Sequence, residues 1–200
     1  MKKSITAVVA GSIAALTIGC AATAQVNMHD AAAAAVDQTD PLDVASFSAR
    51  HNIRLVNNAG QPAGTITLKQ GRTGLLMVVE ANGLTPGWHG IHIHSTGTCE
   101  GPFTSAGAHI NHAENKVPHG LLNSHGPDDG DLPNIFANAD GVAKAELFTT
   151  TARIAETGSG QWLLDRDGSA IVIHANADDH ASQPIGGAGD RVACGEIHSN

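Results

Sequence analysis

His92 and His94 stand two residues apart in the run Gly87–His94, GWHGIHIH. On an extended strand, residues i and i+2 point to the same face, so the two imidazoles are able to grip one metal ion between them. Imidazole suits a redox-active copper because it binds Cu(II) well and tolerates Cu(I). A lone His-x-His pair on a polar face usually binds nothing, so the weight of this pair rests on its surroundings. The chain holds twelve histidines, and all but His29 lie after residue 50, too many for ordinary surface use.

The elements that must position such residues read as short strands. Phe47, Ala49, His51, Ile53 and Leu55 alternate with Ser48, Arg50, Asn52 and Arg54, the period of a half-buried strand. Further strands are expected at Thr65–Lys69, Leu75–Glu80, Ile91–His94, Val142–Phe148, Ala170–His174 and Val192–Ile197. Turn formers separate them at Asn57–Gly60, Gly71–Gly74, Asn82–Gly83, Asp140–Gly141 and Asp167–Gly168. With no convincing amphipathic helix and no internal repeat, the pattern indicates an all-β antiparallel sandwich or barrel. Two stretches fit no strand. Ser95–Leu132 is rich in Gly, His, Asn and Asp, and a connection of that length is usually functional or disordered; a second irregular stretch, Ala175–Asp190, precedes the last strand.

The first 24 residues carry Lys2 and Lys3, an apolar stretch from Ile5 to Ile18, and small residues before Gln25, the pattern of a secretory signal peptide. The stretch is shorter than the roughly twenty residues of a membrane span. Thr17-Ile18-Gly19-Cys20 loosely resembles an acylation site, so a lipid anchor at Cys20 stands beside simple cleavage after Ala24, which is favoured because Leu does not occupy the position three before the cysteine. Both routes export the chain, to the periplasm or the medium. Residues 25–44 read as a flexible tail, in which Met28 and His29 are solvated, and residues 45–200 as one domain. Of three cysteines only Cys99 and Cys194 lie in that domain; two thiols in an oxidising compartment suggest one disulfide, with two unrelated buried thiols as the alternative. The formal charge of −8 becomes −10 once Lys2 and Lys3 are removed, and without a basic stretch nucleic acid is excluded as a partner.

Five motifs in order, GWHGIHIH, then TSAGAHIN at Thr104–Asn111, GDLPN at Gly130–Asn134, IVIHANADD at Ile171–Asp179 and GAGDRVACGEI at Gly187–Ile197, resemble those of exported bacterial copper-zinc superoxide dismutases. The resemblance implies a Greek-key β sandwich with two long functional loops, and copper and zinc as cofactors. Position by position it makes His92, His94, His109 and His174 the copper ligands, with His109 bridging to zinc. On the zinc side it expects three histidines and one aspartate, and His109, His119 and Asp131 match. The remaining histidine should stand three residues before the aspartate of GDLPN, where this chain has Asp128. A carboxylate also ligates zinc, so Asp128 is the in-register candidate, with His125 and His112 as rivals.

By the same resemblance Asp178 accepts hydrogen bonds from His92 and His119 and orients both rings. Cys99 pairs with Cys194, and Arg191 stands beside the copper with a permanently charged guanidinium for a small anion. An acidic protein repels superoxide overall, so a local positive funnel of Arg191 and copper must draw it in. His51, His89, His180 and His198 match no ligand, and His51 and His89 read as structural or core-edge residues. The implied reaction converts superoxide to dioxygen and hydrogen peroxide by Cu(II)/Cu(I) cycling, with His109 carrying one proton between the halves. The alternatives are a copper-binding or copper-delivery protein on the same scaffold and a copper-only dismutase whose altered zinc loop holds no metal. The family contains monomers and dimers, which leaves a homodimer open.

Overall fold

The computed structural model describes residues 49–111 and 116–199; the leader, the tail, Phe47, Ser48 and His112 lie outside them. Among these residues the chain forms β1 (Arg50–Asn57), β2 (Pro62–Gln70), β3 (Leu75–Ala81), β4 (Gly87–His89), β5 (Ile91–His94), β6 (Ile135–Ala137), β7 (Ala143–Thr149), β8 (Ala152–Arg153), β9 (Gln161–Trp162), β10 (Ser169–His174) and β11 (Arg191–Ile197). One turn of 3-10 helix, Thr104–Ala106, is the helical structure described, and no described helix is long and apolar enough to cross a membrane.

Nine strands form one antiparallel sheet in the order β4-β6-β7-β3-β2-β1-β11-β10-β5. The crossovers are those of a Greek key: β3 pairs with β7, and β11 returns from the end of the chain to pair with β1. β4 and β5 occupy opposite ends of the sheet although Gly90 alone separates them. The sheet must therefore curl until its ends adjoin, and bridges from His92 to Asp131 and from His94 to His109 close it to a near barrel.

Alternation explains the strands on the outer part of this sheet. On β2 and β3 the side chains of Ile66, Leu68, Leu75, Met77 and Val79 are fully buried, while Thr67, Leu76 and Val78 between them are half-buried and the flanking Thr65 and Glu80 are exposed. Each such buried aliphatic side chain contributes about 1.5 to 3 kcal/mol, and Leu68→Ala would cost about 2 to 5 kcal/mol once the cavity is counted.

β5 and β10 differ, because every residue on them is buried. Ile91, Ile93, Ile171 and Ile173 face the barrel core, which leaves His92, His94, Val172 and His174 on the opposite face. That face would be wet if the barrel stood alone. The segment from Ser95 to Leu132 covers it, packing Phe103 and Ala106 on Ala170, Val172 and Cys194. The Cys99–Cys194 disulfide, Cα atoms 5.7 Å apart across 95 residues of sequence, ties this cover to β11.

The strands read from the sequence are all present: Ile91–His94 has the expected bounds, β7 is shifted by one residue, β2, β3, β10 and β11 are longer by one to four residues, and β1 runs on to Asn57. β4, β6, β8 and β9 were not among them. Two or three residues are too few for a period to show, and these strands exist because a neighbouring strand pairs with them.

Candidate metal centre

β5 delivers His92 and His94, β10 ends on His174, and the covering loop lays His109 against His94 by an isolated bridge. The nitrogens that these four rings can offer lie within 4.8 Å of one another. In every ring the other nitrogen is anchored. His92 Nε2 lies 2.9 Å from Asp178 Oδ2, His94 Nδ1 2.9 Å from the Gly107 carbonyl and His174 Nδ1 2.9 Å from the Gly189 carbonyl. Each anchored nitrogen donates its N–H, so the remaining one presents a lone pair. His92 Nδ1, His94 Nε2, His109 Nε2 and His174 Nε2 are buried without a hydrogen-bond partner, which is the donor set a copper ion requires.

Burial keeps three of this set, His92, His94 and His174, available at neutral pH. Burial pushes His92 and His174 down to about 4, against the hydrogen bonds that Asp178 and Gly189 respectively accept, and pushes His94 down to about 2. Neutral imidazoles are the form that binds metal.

A second group shares His109 with the first. His109, His119, Asp128 and Asp131 bring their donor atoms within 4.8 Å. His109 Nδ1, on the far side of the ring from the first group, lies 3.1 Å from Asp128 Oδ2 and 3.4 Å from Asp131 Oδ1. His119 Nδ1 abuts Asp131 Oδ1, and both atoms are buried without hydrogen-bond geometry. The outer oxygens are occupied: Asp131 Oδ2 accepts from the Gly120 and Asp128 amides at 2.7 and 3.0 Å, and Asp128 Oδ1 accepts from Gly130 at 3.0 Å. Two imidazoles and two carboxylates converge in a way that suits zinc. Here burial is outweighed. The adjoining carboxylates hold His109 above the usual histidine value and His119 at about 10, while the carboxyls of Asp131 and Asp178 are held well below the usual range by the imidazoles beside them, against the burial that would raise them.

Asp178 joins the two groups. Its Oδ2 meets His92 and its Oδ1 meets His119 Nε2 at 3.1 Å. The close approach depends on a glycine: a Cβ on Gly186, at φ +59, would sit 1.6 Å from Asp178 Oδ1. His125 is exposed in a turn and belongs to neither group, and His112 lies outside the described residues.

Arg191 begins β11 and lines a cavity of about 680 Å³ together with Ser95, His109, Lys116, Asp128 and Ile185 among others. Its Nη1 and Nη2 donate to the carbonyls of Phe103 and Gly107, both on the covering loop that the disulfide tethers. His89 is buried, with its nitrogens 2.7 Å from the carbonyls of Thr85 and His174, a structural tie between β4 and the end of β10. His180 sits against Asp178, with Nδ1 3.5 Å from Oδ2, a contact that no ligand pattern in the sequence signals. Asn134 and Gln183, which bond the backbone of Asp178 and His119, were missed in the same way.

The family described as copper/zinc superoxide dismutase (SODC) matches residues 62–197. Among curated proteins, the chain is 54% identical over 139 residues to a superoxide dismutase [Cu-Zn] of Caulobacter vibrioides, covering 69% of this chain and 79% of that protein. It is 38% identical over 157 residues to superoxide dismutase [Cu-Zn] 2 of Aquifex aeolicus, covering 76% and 90%. Among solved structures, a double mutant of a SOD-like protein from Bacillus subtilis matches with a TM-score of 0.70 at 38% identity, over 74% of this chain and 97% of that one.

Proposed function

The chain belongs to the copper/zinc superoxide dismutase family, and on that premise we propose that it disproportionates superoxide at a copper held by His92, His94, His109 and His174, beside a zinc held by His109, His119, Asp128 and Asp131. The observation that carries this reading is the convergence of four buried, unpartnered imidazole nitrogens next to Arg191, with the opposite nitrogen of His109 turned to a second donor set. Copper supplies a one-electron couple and zinc a fixed positive charge on the shared imidazole.

The chain's own residues do the rest. One superoxide gives up its electron and leaves as dioxygen; a second takes that electron and two protons and leaves as hydrogen peroxide. Arg191, whose two terminal nitrogens are already bonded to Phe103 and Gly107, stands as a rigid cation in the wall of the cavity and orients the incoming anion. His109 would carry one of the two protons at Nε2 in the half of the cycle in which that nitrogen is not a ligand and hand it to the departing peroxide, the other proton coming from water, while Nδ1 stays facing Asp128 and Asp131. Asp178 keeps the rings of His92 and His119 from turning.

Residues 1–24 act as a leader, so that the working protein begins after it with the tail 25–44 and carries the domain 45–200 in the periplasm or medium; the charge and apolar pattern of the leader and the disulfide support this. The mass of the mature chain distinguishes cleavage after Ala24 from acylation at Cys20.

The test is the superoxide decay rate of the oxidised mature chain loaded with copper, with and without zinc. Fast decay in both conditions identifies a dismutase for which zinc is dispensable. Fast decay with zinc alone supports the two-metal site that includes Asp128. No decay in either condition returns the protein to copper binding or delivery.

A further inference from the structure

Two side-chain amides each grip both backbone groups of a residue in the metal centre. Asn134 Oδ1 accepts the Asp178 N–H at 2.9 Å while its Nδ2 donates to the Asp178 carbonyl at 2.8 Å. Gln183 does the same to His119: Oε1 accepts the N–H at 3.1 Å and Nε2 donates to the carbonyl at 2.7 Å. A backbone N–H only donates and a carbonyl only accepts, so each amide has one possible orientation.

The grips are reciprocal. Asn134 lies three residues past Asp131, on the segment that carries the zinc-side residues, and reaches across to Asp178. Gln183 lies on the loop that carries Asp178 and reaches back to His119. The two gripped residues meet through His119 Nε2 and Asp178 Oδ1 at 3.1 Å, so a closed ring of contacts links both loops. Asn134 adds one more contact, its Nδ2 lying 3.2 Å from His180 Nε2. That nitrogen therefore accepts, which leaves the His180 proton on Nδ1, the atom facing Asp178.

The second metal group has a reason to need such restraint. Asp128 and Asp131 place two carboxylates together, a repulsion that works against holding the loop closed before an ion binds. We propose that Asn134 and Gln183 are positioning residues that set the Asp178 carboxylate and the His119 ring before zinc arrives, so that the ion meets a preformed site. This inference rests on the reading of His119 as a zinc ligand. Gln183 is the sharper case: it is exposed, touches no donor atom of either metal group, and acts on His119 through the backbone alone.

The test uses the full oxidised chain and two readouts, amide hydrogen exchange at His119 in the metal-free protein and zinc affinity by competition with a chromophoric chelator. Gln183→Ala is expected to speed exchange at the His119 amide by at least about tenfold and to weaken zinc by about 10- to 100-fold. Gln183→Glu keeps the acceptor, loses the donor and should fall between; being isosteric, it also serves if the alanine variant does not fold. Ser182→Ala, which alters the same turn through Asp179 without touching His119, should change neither readout. Unchanged exchange in Gln183→Ala would remove the grip itself. Lost protection with zinc affinity within about twofold of the parent would show that the grip does not position the ligand. If the parent chain binds zinc no better than Asp131→Ala does, the zinc reading fails and this inference falls with it.

Discussion

Nδ1 of His109 lies 3.1 Å from Oδ2 of Asp128, and the same ring turns Nε2 toward His92, His94 and His174. A carboxylate, where relatives of this family are expected to carry a third imidazole, therefore faces the nitrogen that the two donor sets share. Zinc bound there would sit in a more negative shell, with less nitrogen donation.

Asp128→Ala should consequently cost more than about 100-fold in zinc affinity, beyond what is lost when only a supporting partner is removed. Asp128→His should restore or exceed the parent affinity. Chelator competition on the three chains decides it, and an alanine variant that holds zinc as the parent does would remove Asp128 from the site.

Arg191→Ala should slow superoxide decay by about tenfold or more and flatten its dependence on ionic strength, because the chain is acidic overall and the cavity would lose its anchored arginine. Pulse radiolysis across a salt series measures both quantities. A variant with the parent's rate and salt slope would refute steering by this residue.

Replacing Cys99 and Cys194 together with serine should lower stability by about 2 to 5 kcal/mol, as expected for releasing a long closed loop. Activity should fall as well. The carbonyls of Phe103 and Gly107 that hold Arg191 are on the freed loop. A double variant that unfolds earlier but turns over normally would uncouple the disulfide from the arginine.

The metal-free oxidised protein should be most stable near pH 6.5. Below that value an unfolded histidine takes a proton, whereas folded His92 and His174, pushed down to about 4, and His94, at about 2, do not, so stability drops as pH falls. Asp131 and Asp178 add to the acid loss, because carboxyls held low in the fold stabilise only above their ordinary value near 3.8. His119 acts in the opposite direction. Raised to about 10, its contribution is complete below 6.5 and disappears as pH rises toward 10. Denaturant midpoints from pH 4 to 10 should trace a dome, and a monotonic curve would contradict this balance.

Much of the site is legible in the sequence because its donors lie on regular elements or inside motifs. His92 and His94 share a face through the period of two on β5, and His174 closes the apolar run of β10; both placements follow from strand geometry alone. The order of GWHGIHIH, TSAGAHIN, GDLPN, IVIHANADD and GAGDRVACGEI names the family, and the in-register Asp128 follows from counting back three residues from Asp131. What the sequence leaves open belongs to the irregular segments. Register favours Asp128 over His125 and His112 without deciding among them, and it is the turn at Asp128–Asp131, closed by hydrogen bonds onto two carboxylates, that aims Asp128 inward and leaves His125 exposed.

Asn134 and Gln183 mark the limit most clearly. Each bonds a backbone 44 or 64 residues away, and a side-chain amide binds any peptide group equally well, so no residue type or spacing announces its partner. The burial of the four copper-side imidazoles is likewise a tertiary outcome. β5 and β10 would present His92, His94 and His174 to water, and the covering loop, tied down by Cys99 and Cys194, takes them out of it and thereby holds these three neutral. Local periodicity thus determined which residues share a face, while the desolvation and long-range contacts that make them a metal centre were decided only when the loops closed over the barrel.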